Sequence, residues 1–327
     1  MKKITKYIAL STALALFTSC NDFLDVQPKG QLTDDEMFTD LTGYEDAMFG
    51  IYGKLATSNL YGENLSWGLV DKLGQQFGYD NTLDVSYHIN RYQYTNQEVR
   101  NVIDAVWTNM YNNIANVNNV LKHIDDISIG AQERQMIKGE ALGLRAFMHF
   151  DLARLYCTDY RRSDASTLGL PYAKEFNLSN RPRYTLQSTF KLILKDLDEA
   201  DSLLVNDNNV TYDNTLQRDY TKGRTILFNK YAVKATKARV YYAMGKYTEA
   251  AKYAREVINA TQNFTLNTST SLDSVMRFPA SKEMIFGVYA ADRSATIRTA
   301  FLRSTGLGSF VEGRRDTRSL YETITVR

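Results

Sequence analysis

The 327-residue sequence predicts an all-α dominated fold with long irregular loops and little β structure. Three observations carry that prediction. Apolar residues recur at helical spacing over long stretches, and only four prolines are present to interrupt them. Residues 229–260 repeat a small, large, glycine, aromatic, alanine spacing that belongs to paired helices. Between the periodic stretches lie aperiodic segments rich in Gly, Asn and Tyr.

Composition narrows the function classes. Lys+Arg number 39 against 37 Asp+Glu, so the net charge of +2 offers no long-range field for gathering nucleic acid. Two cysteines exclude a disulfide framework and a multi-thiolate metal site. With three histidines and no i, i+4 pair among His88, His123 and His149, a His-ligated metal is not expected. Tyrosine dominates the aromatics with 22 residues, and its apolar ring with a hydrogen-bonding tip suits wet interfaces.

The elements follow in chain order. Lys2, Lys3 and Lys6 open the chain, and Tyr7 to Phe17 is an apolar run. As a helix that run reaches only about 16 Å, roughly half the hydrocarbon core, so residues 1–19 read as a signal peptide. Phe17-Thr-Ser-Cys20 then resembles a bacterial lipoprotein cleavage box, with Cys20 the acylated new N-terminus. The acyl chains would hold the protein to a membrane. Residues 20–42 are an acidic tether with a first helix from Thr33 to Phe38. The body runs from 43 to 327, opening with a helix from Gly43 to Ala56 whose stripe is Tyr44, Ala47, Met48, Ile51 and Leu55. Residues 57–96 form a long loop region.

Helices are next expected at Gln97–Ile124 and Gln132–Tyr156, antiparallel across a short connection, and at Thr185–Leu204 with Thr185 as N-cap. A polar loop covers Val205 to Arg224. In the 229–260 pair, Ala238 and Ala250 let two tetratricopeptide-like helices approach while Tyr241 and Tyr247 fill the gap. Gly245 supplies the positive φ between them. A short β-like run follows at Met284–Tyr289.

Several segments together resemble the SusD/RagB family of nutrient-binding outer-membrane lipoproteins of Bacteroidetes. Cys20-Asn-Asp-Phe-Leu-Asp-Val-Gln-Pro is similar to the family's segment after the lipidation site, and Trp107-Thr-Asn-Met-Tyr-Asn-Asn-Ile-Ala-Asn-Val-Asn-Asn-Val to a second hallmark. Glu140-Ala-Leu-Gly-Leu-Arg-Ala-Phe-Met-His-Phe-Asp-Leu-Ala-Arg-Leu-Tyr resembles its most recognisable helix, and Asp196-Leu and the paired helices follow in order. Two departures stand out. Much of the usual C-terminal portion has no counterpart, and Cys157-Thr158 replaces the usual Gly-Asp. The resemblance implies a non-catalytic, surface-exposed, lipid-anchored subunit of the cell outer membrane. It would capture a glycan or another nutrient and pass it to a TonB-dependent outer-membrane transporter, without a cofactor. The rival readings are a tetratricopeptide-like protein-interaction adaptor and a truncated remnant. If a core short of its usual C-terminal part is not fully closed, exposed apolar surface is expected along the 229–260 pair.

Sugars are held by aromatic faces and planar polar side chains, so the candidate ligand residues are Trp67, Tyr61, Asn64, Tyr79 and Tyr87 in the 57–96 region. For Trp67 the alternative is packing against the scaffold, and Trp107 is assigned to packing among Val and Ile. His149, beside Phe147 and Phe150, reads as a satisfied, partly buried histidine. Neither a P-loop nor a Gly-x-Ser-x-Gly elbow occurs. Asp34-Asp35-Glu36 and Asp125-Asp126 read as solvated helix ends. Asp207 to Asn214 lacks the central glycine and terminal Glu of an EF-hand. Cys157 is expected as a free, mostly buried thiol, and Arg293, Arg298, Arg303, Arg314, Arg315 and Arg318 as surface charge.

Overall fold

A computed structural model of the chain describes residues 33–290, except 77, 80, 126–128, 178, 212–219 and 267–281. The expected signal peptide, Cys20, the tether before Thr33 and the arginines from 293 to 318 lie outside the described residues.

Local hydrogen bonding sets the helix starts. In Thr33-Asp-Asp-Glu36 the Thr33 hydroxyl accepts from the Glu36 N–H while the Glu36 carboxylate accepts the Thr33 N–H at 2.9 Å. This reciprocal box opens α1 (Asp34–Met37). Asp40 caps α2 (Leu41–Leu55) through the Gly43 N–H at 3.0 Å, so α2 starts two residues before the expected glycine. Its face of Tyr44, Met48, Ile51, Tyr52 and Leu55 is buried.

The stretch read as a loop, 57–96, holds two short helices, α3 (Leu69–Leu73) and α4 (Val85–Asn90). Each buries a single apolar anchor, Leu69 or Ile89. One or two turns give no sustained period, which is why the sequence pattern misses them.

Asn96 caps α5 (Gln97–His123) and Gly130 precedes α6 (Ala131–Tyr156). The two are antiparallel. Tyr156, at the end of α6, donates to the Ile103 carbonyl (2.7 Å) and meets Trp107 edge-on. At the other end Lys138 pairs with Asp125 at 2.7 Å. Helix α6 is the hub, touching α2, α5, the later helix α8 (Lys230–Ala243) and, most extensively, α7 (Leu186–Leu203). It is buried on nearly every side, including Glu140, Arg145, His149 and Asp151.

Thr185 caps α7 as expected, its hydroxyl accepting the Ser188 N–H at 3.2 Å. Asn229 caps α8 (Lys230–Ala243) through two N–H groups. Gly245, at φ 75°, turns the chain into α9 (Tyr247–Ile258). Tyr241 stacks parallel on Tyr253 with 5.6 Å between centroids, so it joins the hairpin as expected. Tyr247 does not fill the gap. As the first residue of α9 it points outward, 55% exposed and edge-on to Tyr242.

Among the described residues the β structure is one isolated bridge, Leu168 to Thr185. The β-like run Met284–Tyr289 forms no strand. Gly287 donates to the Thr225 carbonyl at 2.9 Å, Asn229 holds the Ile285 carbonyl at 2.7 Å, and Phe286 wedges against Phe147 and Phe228. Hydrogen bonds from Gly287 to Thr225 and from Asn229 to Ile285, rather than a neighbouring strand, hold it in place.

Candidate functional site

The five ligand candidates separate in space. Tyr61 turns inward: its hydroxyl donates to Asp151 of α6 at 2.8 Å and its ring packs on Phe147. Asn64 lies in a tight turn, its N–H donating to the Ser58 carbonyl and its carbonyl accepting from Val70. Trp67 is half-buried just before α3. Tyr79 and Tyr87 are brought together by Arg91. That guanidinium lies 3.6 Å from the Tyr87 ring centroid and donates to the Tyr79 carbonyl at 3.1 Å. Burial pushes the Tyr79 hydroxyl up to about 12, so it stays a neutral donor.

Beside this group stand two tyrosines that sequence reasoning missed. Tyr92 and Tyr94 are 47% and 51% exposed, with ring centroids 6.3 Å apart and planes at 36°. Tyr92 has φ 55°, a left-handed conformation costly for a bulky residue, and its hydroxyl donates to the Leu73 carbonyl at 3.0 Å. Gln75, at φ 52°, reaches the Asn90 carbonyl from the same turn region. The backbone and the hydroxyl contact thus hold the Tyr92 ring in place beside the Tyr94 ring, a half-exposed aromatic pair on which sugar C–H faces can stack. The sequence signal was present as Arg91-Tyr-Gln-Tyr94, alternating aromatic and polar at the end of α4.

The polar core is tied to arginines. Arg224 is fully buried between Glu140 (2.8 Å) and Asp207 (3.2 Å), and the Tyr52 hydroxyl also donates to Glu140. Desolvation pushes the Glu140 carboxyl upward. Arg145 forks onto both oxygens of Asp196 (2.7 and 2.8 Å), and Tyr172 donates to the same carboxylate. Asp151 accepts from Arg154 at 2.5 Å and Arg239 at 3.3 Å. Asp207, first of the run weighed for calcium, is engaged by Arg224; residues 212–219 of that region lie outside the described ones. Cys157 is a free thiol, half-buried, raised by burial. Among the described residues no group of three His, Cys, Asp or Glu side chains is placed to hold a metal ion. Nor is any described helix long and apolar enough to cross a membrane.

A SusD-like family model, described as starch-binding and associating with the outer membrane, matches residues 22–242. The chain belongs to this SusD-like family. Its match covers most of the helical body, from ahead of α1 into α8. SusD-like protein P38 of Formosa agariphila is 26% identical over 282 residues, covering 82% of this chain and 48% of that one. A SusD-like carbohydrate binding protein from Bacteroides vulgatus superposes with a TM-score of 0.61 at 20% identity, over 83% of this chain and 56% of the other. A laminarin binding SusD-like protein gives 0.52 at 17% identity, over 70% and 47%. At these identities the superpositions establish the SusD-like helical fold. The chain spans about half the length of the relatives it matches.

Proposed function

We propose that the chain is a non-catalytic carbohydrate-binding subunit, anchored to the outer membrane through lipid on Cys20, that hands a glycan to a TonB-dependent transporter. Its ligand surface is the exposed Tyr92–Tyr94 pair with Tyr79, Tyr87 and Arg91 behind it. The observation that carries this reading is the outward tyrosine pair, locked by a left-handed backbone and the hydroxyl contact to Leu73. Family membership supplies the class of ligand, and the laminarin-binding relative supports a glucan as the first to try.

Titration of laminarin and malto-oligosaccharides by calorimetry tests the site. Tyr92→Ala and Tyr94→Ala are each expected to weaken binding about five-fold, corresponding to ~1 kcal/mol for one stacked ring. Affinity unchanged in both variants removes the pair from the site. Trp67→Ala in the same series decides whether that indole takes part. The transporter is tested by purifying the protein from detergent-solubilised outer membranes: a stoichiometric barrel protein supports the delivery role, and its absence favours an adaptor.

A further inference from the structure

Two hollows flank the paired helices and share Tyr160 as a common wall. The larger, about 850 Å³, runs between α6, α8 and α9 and is floored by Ala153, Ala238, Ala250 and Ala254. The smaller, about 660 Å³, lies between α7 and the α8–α9 turn. Their basic side chains are Arg154, Arg161 and Arg239 in the first and Lys191, Lys195 and Lys246 in the second. Asp159 and Asp198 are the acidic residues of the two linings. A chain with 39 basic and 37 acidic residues overall therefore gathers a local positive excess here.

The acids present are already matched. Asp198 pairs with Lys237 at 2.8 Å, and Asp159 with Arg161 at 2.9 Å. Asp151, just behind the larger hollow, faces both Arg154 and Arg239 with one oxygen. Among the described residues no carboxylate lies within ion-pair distance of Lys191, Lys195 or Lys246. The surplus charge thus sits on those lysines and on the second arginine at Asp151.

The arginines are also held in place. Asp151 is buried and fixed by the Tyr61 hydroxyl at 2.8 Å, and the Arg239 guanidinium lies 5.5 Å from the Phe150 ring. A guanidinium fork of this kind matches carboxylate and sulfate oxygens. Exposed aromatic rings complete the surface: Tyr242 at 66% and Tyr247 at 55%, with Tyr160 and Tyr184 at the junction and the smaller hollow.

We propose that these adjacent hollows bind an acidic oligosaccharide, a sugar chain bearing carboxylate or sulfate groups, with tyrosine faces taking the rings and the arginines and lysines taking the anionic groups. The site rests on the carbohydrate-binding reading but is separate from the Tyr92–Tyr94 surface. In this arrangement Tyr61 acts as a positioning residue, holding the carboxylate that orients two of the cations.

Calorimetry on the full chain with oligogalacturonate, neutral laminarin oligosaccharide and poly-glutamate tests the site. Oligogalacturonate should bind, should weaken as salt rises, and should lose about ten-fold in affinity in the Lys191→Gln/Lys195→Gln/Lys246→Gln variant, whose substitutions are all at exposed positions. Tyr92→Ala should leave that binding unchanged. Tyr61→Phe should weaken it while sparing laminarin. Equal affinity for acidic and neutral sugars, or no change in the lysine variant, overturns the acidic site and leaves the carbohydrate reading standing. Poly-glutamate binding as tightly as the sugar also overturns it and marks the hollows as a protein-docking surface. Failure of every saccharide to bind removes both this site and the carbohydrate reading.

Discussion

His149 donates from Nδ1 to the Arg145 carbonyl (2.8 Å) and accepts the Ala173 N–H at Nε2 (3.1 Å), with the Tyr172 ring stacked 3.8 Å away. Both nitrogens are used by the neutral ring, and burial lowers its pKa from 6.5 to about 3. The folded protein therefore binds one proton fewer than the unfolded chain between these values. Stability from this residue is fully present above pH 6.5 and is lost as pH falls towards 3. In denaturant titrations across that window, His149→Gln should show a stability-versus-pH slope smaller by about one proton. An unchanged slope would mean that other groups set the acid sensitivity. A satisfied histidine was legible from its aromatic neighbours in sequence. The inward turn of Tyr61 was not, because its partner Asp151 is 90 residues away.

At the scale of the element, α6 shows packing overruling local preference. Gly143 lies mid-helix, where alanine is favoured by about 1 kcal/mol. A Cβ there would sit 2.5 Å from the Phe228 ring and 3.5 Å from Val233, both of which are buried. Gly143→Ala is therefore expected to destabilise, by about 1–3 kcal/mol, since overpacking outweighs the propensity gain. A variant as stable as the parent in urea would show that Phe228 has room to shift. The long helices were legible to within a residue or two, with Thr185 marking the start of α7, whereas the caps Asn96 and Asn229 emerge from the structure. The short α3 and α4 were not, and neither was the unpaired state of the 284–289 run, which depends on Thr225 and Asn229.

Across the whole molecule, the α8–α9 hairpin is the last in chain order of the described helices and leaves a largely apolar hollow along its flank. Tyr242, Tyr247 and Ile258 are all more than half exposed on this pair. End repeats of helical arrays ordinarily present a polar face. Among the described residues this pair therefore presents apolar side chains to solvent, and an environment-sensitive dye is expected to report them. Ala254→Glu, placing a carboxylate on the hollow's floor, should reduce the dye signal without changing helix content by circular dichroism. A signal unaffected by that change would locate the dye elsewhere.

The sequence by itself determined the helical class, the order of the long helices, the cap at Thr185, the turn at Gly245 and the family. All of these are written in local spacing and short-range hydrogen bonds, which depend on residues a few positions apart. The tertiary structure decided which tyrosines face solvent and where the unmatched cations collect. Tyr61 and Tyr94 are the same residue type in the same segment, yet one is anchored to Asp151 and the other is half exposed to solvent beside Tyr92. That difference arises from contacts between distant parts of the chain, which no local pattern encodes.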